Sequence, residues 1–311
     1  MNDDAQTAGE TSAPSDAREL LRTVRRIEIA TRRAVNAELA GRYHSVFKGQ
    51  GMAFSEVRPY APGDDIRHID WNVSARHQDQ GLFVKQFVEE RELTVILLVD
   101  LSGSGDFGTK VKPKRRLLAE LGATLAFSAI KNNDRVGLVL FTDEVELYLA
   151  PRKGKPHVLR VIREIVEARP KGHGTNIGEA LAFLSRVMKR RAVVFLLSDF
   201  LDEGFDSPLK IAMARHDVVA ARVKDPAEIE LPDLGLLELV DAETGEVRLV
   251  DSSSKKVRDA FTARRRRALD DADRRLRQLG CDVIDLSTDA DYVAPLISFF
   301  RTRSARLRSG R

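Results

Sequence analysis

Cysteine is nearly absent from this chain of 311 residues, since Cys281 is its only cysteine. An intramolecular disulfide and a cysteine-based metal cluster are therefore excluded, and we interpret Cys281 as a small core residue. No apolar run approaches the roughly 20 residues that a membrane-spanning helix needs. The N-terminal sequence also lacks the basic and apolar regions of a signal peptide. We therefore expect a cytoplasmic protein without a membrane span.

Aromatic residues are scarce, at 6% of the chain, and the net charge is only +4 although 32% of the residues are charged. A nucleic-acid surface usually combines clustered positive charge with aromatic side chains that stack on bases. The strongest basic cluster, residues 264–267, is followed by acidic residues at 270, 271 and 273, which can pair with it at i,i+4 spacing. We interpret this cluster as a solvated helix face. RNA binding through residues 255–277 remains an alternative.

Motifs of nucleotide-binding and phosphotransfer enzymes are missing as well. The sequence has no Gly-x-x-x-x-Gly-Lys-Ser/Thr phosphate loop. The Asp-x-Asp-x-Thr pattern of Mg²⁺-dependent phosphotransferases fails because Ser102 stands at the position of its second Asp. These absences favour a protein that is not an enzyme.

An uninterrupted apolar run from Thr94 to Val99 leads into Asp100-Leu101-Ser102-Gly103-Ser104. A short run of this kind, rich in β-branched residues, predicts a strand buried on both faces, as in a parallel sheet. Ligands of open α/β sheets bind at the carboxyl ends of the strands. One carboxylate and two hydroxyls at this end are hard oxygen ligands, which suit Mg²⁺ or Mn²⁺.

Two later stretches strengthen this interpretation. Gly172-His173-Gly174-Thr175 leads to Asn176, which is predicted to cap a helix with Glu179 as the partner of its capping box. Residues 192–198 form a second apolar strand, which Asp199 follows. We interpret His173 as a loop hydrogen-bonder, because the hydroxyls already define a hard-oxygen site.

The order Asp-x-Ser-x-Ser, loop Thr and strand-end Asp resembles the metal-ion-dependent adhesion site of von Willebrand factor A domains. The resemblance implies that Ser102, Ser104 and Thr175 contact the ion directly or through water. It also implies that Asp100 and Asp199 mostly hold waters or hydroxyls around it. The alternative is that the first motif forms only a hydrogen-bonded turn.

Residues 49–76 are dense in Gly, Pro, charge and aromatics, and they read Arg58-x-Tyr60-x-x-Gly63-Asp64-Asp65-x-Arg67-x-Ile69-Asp70-Trp71, then Ser74-Ala75-Arg76. This block resembles the signature of a bacterial family of von Willebrand A-like proteins, a domain-of-unknown-function family whose genes commonly accompany those of MoxR-type AAA+ ATPases. With the site motifs behind it, the resemblance covers nearly the whole chain from about residue 20. The charged residues of the block are expected to form ion pairs that tie it to the sheet, or to face a partner.

The expected fold is α/β, with a doubly wound, mostly parallel sheet of the von Willebrand A-like, Rossmann type. Residues 1–14 are expected to be a disordered tail, and residues 15–92 an N-terminal helix, ending at Gly41, plus the Gly/Pro-rich accessory segment. Residues 93–302 form the main domain, with an antiparallel edge strand at 145–149 and a β-hairpin inserted on an edge at about 225–251. Residues 303–311 form a basic tail.

Serine and threonine hydroxyls are neutral, so an ion held largely by them keeps positive charge and can accept a carboxylate from another protein. We therefore expect a Mg²⁺- or Mn²⁺-dependent protein-interaction module. By resemblance, its partners are a MoxR-type AAA+ ATPase, for which it acts as adaptor, and a client protein with an exposed Asp or Glu. The alternative from another class is a metal-dependent hydrolase with His173 as general base.

Overall fold

The computed structural model describes residues 22–31, 37–47, 52–76, 81–89, 92–102, 113–172, 174–240 and 246–309. The predicted tail at 1–14 lies outside these ranges, and so do Ser104 and His173. The strands are β1 (Met52–Pro59), β2 (Phe83–Glu89), β3 (Thr94–Asp100), β4 (Arg135–Phe141), β5 (Val145–Arg152), β6 (Val193–Ser198), β7 (Asp217–Lys224), β8 (Leu236–Val240), β9 (Val247–Asp251) and β10 (Asp282–Ser287). The helices are α1 (22–31), α2 (Ala37–Phe47), α3 (Trp71–Arg76), α4 (Lys114–Lys131), α5 (Lys155–Glu167), α6 (Ile177–Val187), α7 (Asp206–Arg215), α8 (Lys255–Gln278) and α9 (Val293–Arg308).

The central sheet contains six strands in the order β10-β7-β6-β3-β4-β5. Neighbouring strands run parallel, except that β5 runs antiparallel to β4. Only residues 142–144 join these two strands, which is enough for a hairpin but far too short for the crossover that a parallel pair needs. The predicted α/β class, the mostly parallel sheet and the antiparallel edge strand are confirmed.

The side chains of β3 alternate between two hydrophobic clusters, because successive strand residues point to opposite faces of a sheet. Val95, Leu97 and Val99 belong to a cluster that also contains residues of α1, α2, α4, α5 and α9. Ile96 and Leu98 belong to a second cluster, with residues of α6, α7 and α8. All five side chains are completely buried, so the prediction of a strand buried on both faces is confirmed.

The N-terminal helical region differs from the prediction, since Gly41 lies inside α2 rather than at the end of a helix. The helix continues to Phe47 because its last turns are buried in the core. Tyr43 and Phe47 make edge contacts with Phe300 of α9, with ring centroids 6.0 and 5.9 Å away. This packing outweighs the cost of roughly 1 kcal/mol that a glycine imposes on a helix interior.

The accessory segment is built on β1 and β2, which pair antiparallel as a two-stranded sheet. The partly alternating character of residues 82–90 is typical of a strand, and β2 forms there, whereas the sequence analysis predicts no strand at β1. Trp71 begins the short α3 and is 67% exposed. Ion pairs within the segment join Arg58 with Asp64, Arg67 with Asp65 and Lys85 with Asp70, so these pairs do not tie it to the central sheet.

The predicted hairpin is present as β8 and β9, which form a two-stranded sheet of their own. The two edges of the central sheet are β10 and β5, so the hairpin does not extend that sheet as an edge strand would. The predicted basic tail begins inside α9, which runs to Arg308. Within the described ranges, no helix has both the length and the apolar character needed to cross a membrane.

Candidate metal centre

The carboxyl ends of β3 and β6 form the centre of the candidate site, because these strands are parallel neighbours in the sheet. Asp100 is the last residue of β3, and Asp199 follows the last residue of β6. Asp100, Ser102 and Asp199 are all buried, with 4%, 2% and 9% of their surface exposed. The sheet order thus places three of the five predicted metal residues at one edge, namely the edge formed by the carboxyl ends of the parallel strands.

Asp100 accepts two hydrogen bonds at this edge. Its Oδ1 accepts from the backbone N–H of Ser102 at 2.8 Å, which is a hydrogen bond of the turn named as the alternative for this motif. Its Oδ2 accepts from the hydroxyl of Ser198 at 2.6 Å. Burial and the neighbouring charge of Asp199 raise the pKa of Asp100 to about 7, although the hydrogen bonds from Ser198 and Ser102 oppose the rise.

Ser198 is a site residue that the sequence analysis missed. Besides binding Asp100, its hydroxyl accepts the backbone N–H of Phe200 at 3.1 Å. Phe200 has a φ of 61°, a left-handed conformation that bulky residues rarely adopt. In the sequence, Ser198 directly precedes Asp199 at the end of an apolar strand. The sequence analysis assigned a site role only to Asp199.

Lys114 is the second missed residue, and it begins α4 directly after Pro113. A lysine in the first helical turn faces the positive end of the helix dipole, so a buried one needs carboxylate partners. Its ammonium nitrogen lies 3.3 Å from Oδ2 of Asp199 and 2.5 Å from Oε1 of Glu228. Only 3% of the Lys114 side chain is exposed.

The loop that carries Thr175 is fixed from two sides. On one side, Oε1 of Glu146 accepts hydrogen bonds from the backbone N–H groups of Lys171 and Gly172, at 2.9 and 3.0 Å. Glu146 also accepts from the hydroxyl of Thr142 at 3.0 Å. Although burial favours its neutral form, these three bonds lower the pKa of Glu146.

On the other side, the start of α6 holds this loop. The side chain of Asn176 accepts the backbone N–H of Glu179 at 2.8 Å, so the predicted helix cap is confirmed. The backbone N–H of Ile177 donates to Asp202 at 2.8 Å, and the backbone N–H of Asn176 donates to the carbonyl of Thr142 at 2.9 Å. Because Thr142 directly follows β4, the neighbour of β3, these contacts hold Thr175 at the same edge of the sheet as Asp100.

The charges and donors of this edge suit a divalent cation. Three carboxylates (Asp100, Asp199 and Glu228) and one ammonium group (Lys114) leave two negative charges when all are ionised. Across the residues that the structure describes, there is no group of three or more His, Cys, Asp or Glu that could hold a metal ion. A metal here would therefore depend on hydroxyl oxygens as well as carboxylates, which is the donor chemistry of hard cations.

The basic cluster at residues 264–267 makes contacts other than those predicted. Arg265 donates from Nε to the carbonyl of Glu228 at 3.0 Å, and Arg266 pairs with Glu230 at 3.1 Å. Asp271 pairs with Arg274, and Asp273 with Arg277 and Arg222. The cluster therefore anchors the segment before β8, in addition to facing solvent.

The solved structures that match this chain have low sequence identity to it. An aerotolerance-related membrane protein from Bacteroides fragilis matches with a TM-score of 0.47 and 15% identity, covering 69% of this chain and 99% of that chain. The conserved hypothetical protein BatB from Bacteroides thetaiotaomicron matches with a TM-score of 0.45 and 17% identity, with the same coverage of both chains.

Proteins related by sequence have a higher identity to this chain than these solved structures have. An uncharacterized protein of Mycobacterium tuberculosis is 33% identical over 288 residues, which is 91% of this chain and 90% of that protein. The uncharacterized protein YeaD of Bacillus subtilis is 25% identical over 196 residues, which is 63% of this chain and 46% of that protein. The model of the family described as "Protein of unknown function DUF58" matches residues 56–270, a span that includes the Arg58–Trp71 block and all five predicted metal residues. The chain is therefore a member of the DUF58 family.

Proposed function

We propose that this protein is a non-enzymatic protein-interaction module whose docking site is a divalent cation, Mg²⁺ or Mn²⁺, at the Asp100 edge of the sheet. The observation that carries the proposal is the buried pair Asp100 and Asp199, which lies beside the Ser102 hydroxyl with negative charge in excess. Two buried carboxylates that repel each other are costly to ionise unless positive charge lies nearby, and the one ammonium group of Lys114 is shared between Asp199 and Glu228.

The residues that would hold the ion are Asp100, Ser102, Ser104, Thr175 and Asp199. When bound, the ion supplies a positively charged coordination position that an acidic side chain of another protein can fill. Ser102 and Thr175 contribute neutral oxygens, so they do not cancel that charge. Glu146 and Asp202 hold the Thr175 loop in place through backbone hydrogen bonds.

The partner that we propose is a MoxR-type AAA+ ATPase, together with a client protein that exposes an Asp or Glu. This part of the proposal rests on the family resemblance of the Arg58–Trp71 block. That block is ordered by its own ion pairs while Trp71 stays exposed. It therefore offers a second contact surface besides the metal site.

The test combines metal binding with partner capture. Mn²⁺ and Mg²⁺ titrations by calorimetry should show one site in wild type and none in Asp100→Asn. The exposed Asp259→Asn on α8 is the matched control that loses a carboxylate elsewhere. Thermal melts confirm that each variant is folded.

Capture of a purified MoxR-type ATPase from the same genome should then follow metal binding, and EDTA and Asp100→Asn should both abolish it. Metal binding without capture would support the metal site but exclude the ATPase as its partner. Absence of metal binding by folded wild type would overturn the proposal. Capture that persists in EDTA would indicate that the ATPase binds the Arg58–Trp71 block rather than the metal site.

A further inference from the structure

Lys114 occupies a position between two carboxylates at the edge of the candidate metal site. Its ammonium group lies 3.3 Å from Asp199, a predicted metal residue, and 2.5 Å from Glu228, which is not one. All three side chains are largely buried, at 3%, 9% and 13% exposed. One cation of the protein itself is therefore already in contact with a carboxylate of the metal site.

We propose that Lys114 is an internal cation that competes with a divalent cation for Asp199, and that Glu228 is the carboxylate that retains the Lys114 ammonium when Asp199 binds metal. The inference rests on the proposed function, because it concerns the affinity of the same site. A flexible lysine stem can shift its charge between two fixed carboxylates without a backbone movement. The shorter contact to Glu228 is the one that would remain.

The backbone of Glu228 is held from several sides, whereas Lys114 carries its charge on a flexible stem, so we expect the ammonium group of Lys114 to be the one that moves. The backbone N–H of Glu228 donates to the carbonyl of Asp225 at 3.1 Å, and its own carbonyl accepts from Arg265 of α8 at 3.0 Å. The carboxylate of Asp225 is completely buried and accepts from the hydroxyl of Thr288 at 2.8 Å. These contacts tie the Glu228 turn to α8 and to the end of β10.

Competition gives the two partners opposite effects on metal affinity. Lys114→Met removes the competing charge while keeping a side chain of similar length, so Mn²⁺ should bind at least about tenfold more tightly. Glu228→Gln leaves Asp199 as the remaining carboxylate for the ammonium group, so Mn²⁺ should bind at least about tenfold more weakly. An ion pair with only a structural role would instead weaken binding, or leave it unchanged, in both variants.

The double variant Lys114→Met/Glu228→Gln removes both charges of this ion pair, so Glu228 is not left ionised in the interior without its ammonium partner. It differs from Glu228→Gln only at Lys114, and the competition predicts that it regains at least about tenfold in Mn²⁺ affinity over that variant. Lys153→Met, which removes an exposed ammonium group paired with Glu92, is the control and should bind as wild type does. All titrations use the full chain at one ionic strength, with melting temperatures as the check of folding.

The outcomes separate this inference from the proposed function. If wild type binds Mn²⁺ and the double variant does not exceed Glu228→Gln, the competition is overturned while the metal site stands. If both single variants shift the affinity in the same direction, the competition is likewise overturned. If folded wild type binds no divalent cation, the proposed function fails and this inference fails with it.

Discussion

Ser198 at the end of β6 donates a hydrogen bond of 2.6 Å to Oδ2 of Asp100 at the end of β3. The two residues are 98 positions apart in the chain, and they meet because β3 and β6 are parallel neighbours. The other oxygen of Asp100 is held by the Ser102 backbone. The carboxylate orientation is thus set by one local and one long-range donor.

Replacing Ser198 with alanine is expected to weaken divalent-cation binding by about tenfold, because residues that orient metal ligands typically contribute tenfold or more to affinity. Mn²⁺ titration of Ser198→Ala against wild type measures this. Ser185→Ala is the control, since the hydroxyl of Ser185 donates to the carbonyl of Leu181 in its own helix. Equal affinities of Ser198→Ala and wild type would show that Ser198 does not orient a ligand.

Asp134 is expected to make the fold less stable as the pH rises. It is buried, and burial raises its pKa from 3.8 to about 6, although the backbone N–H of Leu93 donates to it. A carboxyl whose pKa is higher in the folded than in the unfolded chain contributes stability at low pH and loses it as the pH rises through the folded pKa. The loss from below about pH 4 to above about pH 6 amounts to at most about 3 kcal/mol.

Asp134→Asn keeps an acceptor for Leu93 and cannot ionise, so it isolates this effect. Urea unfolding of both proteins at about pH 4 and about pH 7.5 should show that the variant gains stability relative to wild type at the higher pH. A difference between the two proteins that does not change with pH would contradict the assignment to Asp134.

Gly41→Ala is expected to stabilise the protein by about 0.5–1 kcal/mol, because alanine is preferred over glycine inside a helix. A Cβ atom at Gly41 would meet no atom within 4 Å. Gly63→Ala is the matched control, since its Cβ would also meet no atom within 4 Å while its φ is +105°. Thermal unfolding should show a gain for Gly41→Ala and a loss for Gly63→Ala, and a loss in both would mean that α2 does not continue through Gly41.

Arg222→Met is expected to destabilise the fold by about 1.5–3 kcal/mol, the usual contribution of hydrogen bonds to a charged group, because Asp273 and Asp285 are partly exposed, at 23% and 49%. Only 2% of the Arg222 side chain is exposed, and it pairs with Asp285 at 2.6 Å and Asp273 at 2.8 Å. Arg277 pairs with the same Asp273 from the surface, with 72% of its side chain exposed. Arg277→Met should therefore cost less than about 1 kcal/mol. Similar losses of stability in the two variants by urea unfolding would contradict a larger contribution from the buried Arg222.

Much of the fold could be predicted from local sequence patterns. The apolar runs of β3 and β6, the Asn176 cap of α6 and the antiparallel edge strand β5 are each encoded within a few consecutive residues, and all were predicted. Gly41 and β1 were not, because α2 continues through its glycine by packing on Phe300, and β1 depends on its pairing with β2. Both contacts join residues that are distant in the chain.

The same division holds at the candidate site. The sequence by itself determined that Asp100 and Asp199 lie at strand ends and that Thr175 lies just before a helix, because strand ends and helix starts are local features. Only the tertiary structure decided that Ser198 binds Asp100 and that Lys114 lies between Asp199 and Glu228. The physical reason is that these partners come from different strands and helices, and the order of strands in the sheet, rather than any short-range pattern, brings them within hydrogen-bonding distance.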